Sequence, residues 1–185
     1  LLLDTIFKNS NKYKSMKKSI FIFCVVVFTG NNISAQKNVL KMNPLGFAFG
    51  IYNLTYERAL SSSTSFQVKG SFFSKLFGLE VSSLGFDADF KYFITHKRKP
   101  SPEGFYIGPG ISINKTSYSE FNDGSATTFG IGGTVGYQWI WNSGFALDLG
   151  MGPKYLTILT SSDDLEGETI SGVVPNFTLA IGYAF

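Results

Sequence analysis

The sequence predicts an all-β fold, an antiparallel up-and-down transmembrane β-barrel of eight strands. Three observations carry that expectation. Apolar residues recur at every second position over most of the chain, with no stretch of period near 3.6. Charged residues make up 16% of the chain, against about 25% in a typical soluble domain, and aromatics make up another 16%. Finally, Phe185, Tyr183, Ile181, Leu179 and Phe177 alternate with the small residues Ala184, Gly182, Ala180 and Thr178 up to the last position. Too little charge to coat a soluble domain, and no apolar run of the ~20 residues a spanning helix needs, leaves the closed barrel.

The first segment reads as a targeting signal. Met16 is followed by Lys17 and Lys18, an apolar run from Ile20 to Phe28, and a small residue, Ala35, as the expected cleavage site. Residues 1–15 are expected to be an upstream mis-start, 16–35 a signal peptide and 36–185 the barrel domain. Removing 1–35 takes away five of the 16 basic residues and one of the 13 acidic ones, so 11 bases face 12 acids. The formal charge of +3 therefore belongs to the leader and argues for no nucleic-acid partner. The lone cysteine, Cys24, lies in the apolar run, with Phe23 where lipidation needs a small residue.

Strands are expected near 39–50, 53–60, 64–74, 83–95, 104–117, 126–141, 144–159 and 173–185. In the first, Leu45, Phe47 and Phe49 alternate with Gly46, Ala48 and Gly50; in the second, Leu54 and Tyr56 alternate with Thr55 and Glu57. The third sets Phe66, Val68 and Phe72 against Gln67, Lys69 and Ser71. The fourth sets Leu84, Phe86, Phe90 and Tyr92 against Gly85, Asp87, Asp89 and Lys91. The fifth carries Phe105, Ile107, Ile111 and Ile113 on one face. The sixth is the clearest: Phe129, Ile131, Val135, Tyr137, Trp139 and Trp141 face one way, and Thr128, Gly130, Gly132, Thr134, Gly136 and Gln138 the other. Trp139 and Trp141 are the expected interfacial aromatics. The seventh sets Phe145, Leu147, Leu149 and Met151 against Ala146, Asp148, Gly150 and Gly152.

Ser61-Ser62-Ser63 and Asn142-Ser143-Gly144 read as short turns, and 75–82, 118–125 and 160–172 as longer outer loops. The first outer connection, near Ile51-Tyr52, is expected to be very short. The basic turn from His96 to Gly104 is long for the periplasmic side. Pro109 and Pro153 fall inside strands, where each removes a ladder hydrogen bond, and both are expected to mark bulges.

The alternation turns Glu57, Lys69, Asp87, Asp89, Lys91, Asp148 and Lys154 inward. An eight-stranded barrel is just wide enough for side chains to fill it, so these seven are expected to form a structural lumenal charge network. Nothing assembles a catalytic constellation. The only histidine, His96, sits in the basic turn, away from any outer-leaflet substrate. The run Gly130 to Gly136 has GxGxxxG spacing with no helix after it, which fits small lumenal positions rather than a nucleotide loop. The acidic loop at 163–168 lacks EF-hand spacing, so no metal and no cofactor is expected.

Asn53-Leu54-Thr55-Tyr56-Glu57-Arg58-Ala59-Leu60, preceded by Asn43-Pro44-Leu45-Gly46, resembles the opening of small outer-membrane β-barrel domain families common in Bacteroidota, many of them domains of unknown function. Phe105-Tyr106-Ile107-Gly108-Pro109-Gly110 and Gly182-Tyr183-Ala184-Phe185 are similar too. The fold implied is that of the OmpA transmembrane domain and OmpX, here without a following peptidoglycan-binding domain. The resemblance also implies that Leu179, Ile181, Tyr183 and Phe185 form the C-terminal signal read by the barrel-assembly machinery.

The expectation is thus a monomeric, non-enzymatic protein of the bacterial outer membrane with a plugged lumen, partnered by outer-membrane lipid. It would be delivered by Sec export and barrel assembly, and would act structurally or through a surface ligand at loops 118–125 and 160–172. Alternatives are a narrow channel for ions or small solutes, and a soluble periplasmic lipocalin-like ligand-binding barrel with its apolar face inward.

Overall fold

A computed structural model describes residues 36–74, 81–118, 124–161 and 169–185. Eight antiparallel strands close one ring: β1 (Asn38–Met42), β2 (Tyr52–Ala59), β3 (Thr64–Phe73), β4 (Val81–Phe93), β5 (Gly104–Tyr118), β6 (Gly124–Ile140), β7 (Phe145–Ser161) and β8 (Thr169–Ala184). Each strand pairs with the next in sequence, and β8 returns to β1 through pairs such as Val39↔Ala184. The rim that carries Asn38 and Phe185, with the turns after β2, β4 and β6, is called the near rim below. The opposite end is the far rim.

The register fixes the tilt. Following partners around the wall from Lys41 leads through Thr55, Lys69, Asp87, Ser112, Gly130 and Leu156 to Gly172. Lys41 itself pairs with Gly182, so the ladder returns ten residues displaced. Closing a barrel requires such a stagger, together with strand tilts of about 35–45°.

Two expectations about the strands need correction. The first strand stops at Met42, and Pro44–Ala48 forms a short helix, α1. Asn43 caps it: its side chain accepts a hydrogen bond from the Gly46 amide, and Pro44 stands where a missing N–H costs nothing. Local capping chemistry therefore overrides the alternation of Leu45, Phe47 and Phe49, and the first far-rim connection is longer than expected.

The second correction concerns the prolines, which make no bulges. Pro109 pairs with Gly133 and Pro153 with Pro175 in ladders that keep one register throughout. What each proline breaks is the pairing on its other side. The β4–β5 ladder lapses between Asp89↔Gly110 and Tyr92↔Ile107, and the β6–β7 ladder between Gly132↔Lys154 and Val135↔Met151. The missing N–H groups fall there. Gly108 and Gly152 sit at these breaks, so close to the neighbouring strand that a Cβ would overlap the carbonyl oxygen of Phe90 or of Gly133.

The wall is uneven. β6, β7 and β8 have 17, 17 and 16 residues, whereas β1 has five and β2 eight. The proposed loops 75–82, 118–125 and 160–172 shrink accordingly. Residues 75–80, 119–123 and 162–168, including the acidic Asp163, Asp164, Glu166 and Glu168, lie outside the described residues, as does the segment with Ala35.

Alternation sorts the side chains as the pleat requires. Leu84, Phe86, Ile107, Ile111, Ile131, Met151, Val173 and Phe177 stand on the outward face and are exposed, up to 69% at Val173. Along β6 and the residue that follows it, this face runs from Phe129 to Trp141, twelve residue steps. At about 3.3 Å per residue and a tilt of about 40°, that is a band about 30 Å tall. Beyond it toward the far rim, the outward positions become Lys115, Ser117, Thr127, Thr157 and Ser171, with Leu159 the exception.

Candidate functional site: a lumen closed at one end and open at the other

The near rim is sealed by apolar packing. Val39, Ala146 and Ala184 form a buried cluster with Ile140 against it, and Phe93 is fully buried. The turn after β4 folds over the Ser61–Ser63 turn, with Ser101 N donating to Ser62 O at 2.8 Å and Phe93 N to Ser63 O at 2.7 Å. His96 lies in this turn with Nδ1 2.8 Å from Phe93 O, and Lys99 pairs with Glu103.

Directly above the seal lies a fully buried charged layer. Lys41 Nζ donates toward Glu57 Oε2 (2.5 Å), Asp148 Oδ2 (2.7 Å), Gln138 Oε1 (2.9 Å) and Gln67 Oε1 (3.0 Å). An ammonium has three protons, so four acceptors share them. Lys91 Nζ reaches the same Asp148 oxygen at 2.7 Å, Gln138 Oε1 at 3.1 Å and Glu57 Oε2 at 3.4 Å. Two ammonium groups therefore face two carboxylates, with no net charge. Desolvating an ion costs several kcal/mol, and pairing of this closeness is what offsets it.

Tyr106 completes the layer. Its hydroxyl donates to Asp148 Oδ1 at 2.7 Å, and Lys91 Nζ sits 4.1 Å from its ring centre. The ring has room because its neighbours are glycines. A Cβ at Gly136 would lie 2.6 Å from the Tyr106 oxygen, and one at Gly150 2.7 Å from it. That accounts for part of the glycine-rich run on β6. Ser65 Oγ donates to the other Glu57 oxygen. Gln138 Nε2 meets no partner among the described residues.

Toward the far rim the lumen opens into a polar cup. Asp87 accepts from Lys154 at 3.1 Å and pairs with Lys69 at 3.3 Å. Asp89 accepts from Gln67 Nε2 at 2.8 Å. Lys69 is 36% exposed here and Lys154 18%, against 2% or less for Lys41 and Lys91. A cavity of about 80 Å³ occupies the cup.

The seven expected lumenal charges thus divide into two groups. Glu57, Lys91 and Asp148 lie in the buried layer, and Lys69, Asp87, Asp89 and Lys154 in the cup. Sequence reasoning missed Lys41, the residue with the most partners, because it precedes α1 in a segment without clear alternation. It also left Gln67, Gln138 and Tyr106 out of the network. Their inward parity was the available signal.

At the near rim Tyr137 and Trp139 have ring centres 4.4 Å apart, and Trp141 and Phe145 5.3 Å apart. Leu179, Ile181 and Tyr183 face outward on β8, and Phe185 is tied to β1 by its amide donating to Asn38 O at 2.8 Å. Among the described residues no group of three or more His, Cys, Asp or Glu gathers as a metal site.

No curated protein and no solved structure matches the chain. Residues 20–166, most of the sequence, match a family described as protein of unknown function, DUF3575. An eight-stranded antiparallel ring whose buried layer draws its four charges from four strands is thus the fold of a chain that belongs to the DUF3575 family.

Proposed function

We propose that this protein is an integral outer-membrane β-barrel of the OmpA/OmpX architectural type, non-enzymatic and monomeric, with a lumen that does not conduct. It would act structurally or through contacts made at its far rim. The observation that carries this reading is the inversion of the usual polarity of a soluble protein. The outward face is a continuous apolar band, and the charges lie inside. A band of about 25 Å edged by aromatic girdles is the pattern of membrane-spanning barrels. Trp139, Trp141 and Phe145 supply aromatics at the near rim, and Phe72, Phe129 and Tyr155 stand toward the other edge.

The proposed orientation places the near rim, with both ends of the ring, in the periplasm. Sec export and the barrel-assembly machinery would be the partners in biogenesis, with β8 as the segment recognised.

A lumen blocked by a saturated ion layer over an apolar seal favours a plug over a channel. The lipocalin-like alternative requires an apolar interior, and the interior here is polar. Planar-bilayer recording tests the plug. The protein should insert without unitary conductance, whereas steady single-channel openings would sink the non-conducting reading. Carbonate washing of membranes tests the location, since an integral barrel stays in the pellet and a soluble or peripheral protein is released.

A further inference from the structure

The wall of the cup can be followed rung by rung. One rung of the ladder runs from Gln67 through Asp89, Gly110 and Gly132 to Lys154. All five line the same cavity. The next rung toward the far rim runs from Lys69 through Asp87, Ser112 and Gly130 to Leu156.

The first rung has an acid toward one end, a base at the other and no side chain between them. A Cβ at Gly110 would overlap Asp89 Oδ1, and one at Gly132 would lie 3.2 Å from the Cβ of Lys154. The two glycines thus leave open the space that larger residues would fill.

The charges on the two rungs are unevenly paired. Lys154 leaves its own rung to donate to Asp87 at 3.1 Å, and Lys69 meets the same carboxylate at 3.3 Å. Two ammonium groups share one anion, and each has three protons to place. Ser112 adds a hydroxyl beside them. A Cβ at Gly130 would meet both Ser112 Oγ and Lys154 Cε, and that buried hydroxyl has no partner among the described residues. Asp89 is met by Gln67, a neutral donor. The cup therefore has a positive pole where the lysines gather and a negative pole at Asp89.

The poles are close together. Asp87 and Asp89 are two residues apart on β4, about 7 Å along the strand. Charge-assisted hydrogen bonds of about 2.8 Å at each end leave little length between them. A ligand that satisfies both poles carries its cation and its anion on one carbon. The cavity of about 80 Å³ is the share of two or three waters at about 30 Å³ each, which suits a small side chain. Its floor is the buried layer, where Lys41, Lys91, Tyr106 and Asp148 are already partnered, so the ligand enters and leaves by the far rim.

We propose that the cup binds one small free α-amino acid, with its ammonium on Asp89 and its carboxylate on Lys69 and Lys154. This goes beyond the function proposed above and requires only the closed ring.

The test is equilibrium dialysis of the full barrel in detergent micelles against labelled glycine. Saturable binding of one glycine per chain is expected, with a Kd below about 1 mM. Unlabelled γ-aminobutyrate, whose charges are three carbons apart, should compete about tenfold more weakly or worse, as should acetate and methylammonium, which carry one charge each. Asp89→Asn and Lys154→Met should each weaken glycine binding about tenfold or more, because each removes a charged partner. Absence of saturable binding, equal competition by γ-aminobutyrate, or unchanged affinity in Asp89→Asn would overturn the proposal. Should either variant not fold, the competition series on the wild-type barrel decides. A barrel that resists carbonate extraction yet binds no glycine defeats this inference and leaves the membrane reading standing.

Discussion

The two halves of the lumen use the same ingredients to different ends. Each holds two lysines and two carboxylates. In the near half, Lys41, Lys91, Glu57 and Asp148 are fully buried, and every charge has an opposite partner within 3.4 Å. In the far half, Lys69 and Lys154 are partly exposed and share the mostly covered Asp87, and among the described residues Asp89 is met by neutral Gln67 rather than by a lysine. The difference lies in what surrounds the ions. The near half is roofed by Tyr106 and floored by Val39, Phe93 and Ala146, so water is excluded and each pairing becomes obligatory. The far half is lined in part by Asn43, Asn53 and Asn176 and by the small Gly108, Gly110 and Gly132, and its two lysines stay partly exposed.

If that contrast is right, removing one lysine should have very different costs in the two halves. Lys41→Met leaves Glu57 and Asp148 to Lys91 alone, and breaking a buried pair costs about 3–5 kcal/mol. Urea unfolding of the lipid-embedded barrel should show this as a lowered midpoint. Tyr106→Phe takes one hydrogen bond from a buried carboxylate oxygen, and about 1–3 kcal/mol is expected. Gly136→Ala should cost a similar amount, about 1–3 kcal/mol, because its methyl meets the Leu149 carbonyl oxygen first and then the Tyr106 hydroxyl, and overpacks the layer. Lys154→Met, in the cup, should change stability by no more than about 1 kcal/mol. Equal losses for Lys41→Met and Lys154→Met would erase the distinction between the halves.

The smallest effect belongs to the near-rim turn. The hydrogen bond from Lys99 to Glu103 raises the lysine above its ordinary value. A raised lysine stabilises the fold below its unfolded pKa and loses that contribution as pH rises through the folded one. The contribution is therefore fully present at neutral pH, and because the pair is exposed Lys99→Ala should lower the unfolding midpoint only slightly there. That small difference from wild type should fade as pH rises above the ordinary lysine value of about 10.4.

Much of this contrast was legible in the sequence, though not all of it. Period-two alternation assigned inward and outward faces on β2 through β8, because a residue's face depends only on its parity in an unbroken strand. It therefore placed Glu57, Asp87, Lys91 and Asp148 in the lumen before any register was known. It did not separate the buried layer from the cup, because depth depends on the ten-residue stagger around the ring, which is a property of closure. The helix at Pro44–Ala48 was written in Asn43-Pro44, a capping pair that the alternating phenylalanines obscured. The prolines misled for the opposite reason. A bulge is the local remedy for a missing N–H, whereas here each barrel break is a gap beside a glycine, visible only once the neighbouring strand is in place.

The central claim is a closed ring with lipid outside and charge inside. Gel mobility of the protein from an isolated outer-membrane fraction, run with and without boiling, tests it most directly. A closed barrel stays folded in cold detergent, so the account predicts two positions, with the unboiled band shifted and boiling converting it to the unfolded mobility. A single, heat-independent band from protein recovered in the soluble periplasm would contradict it.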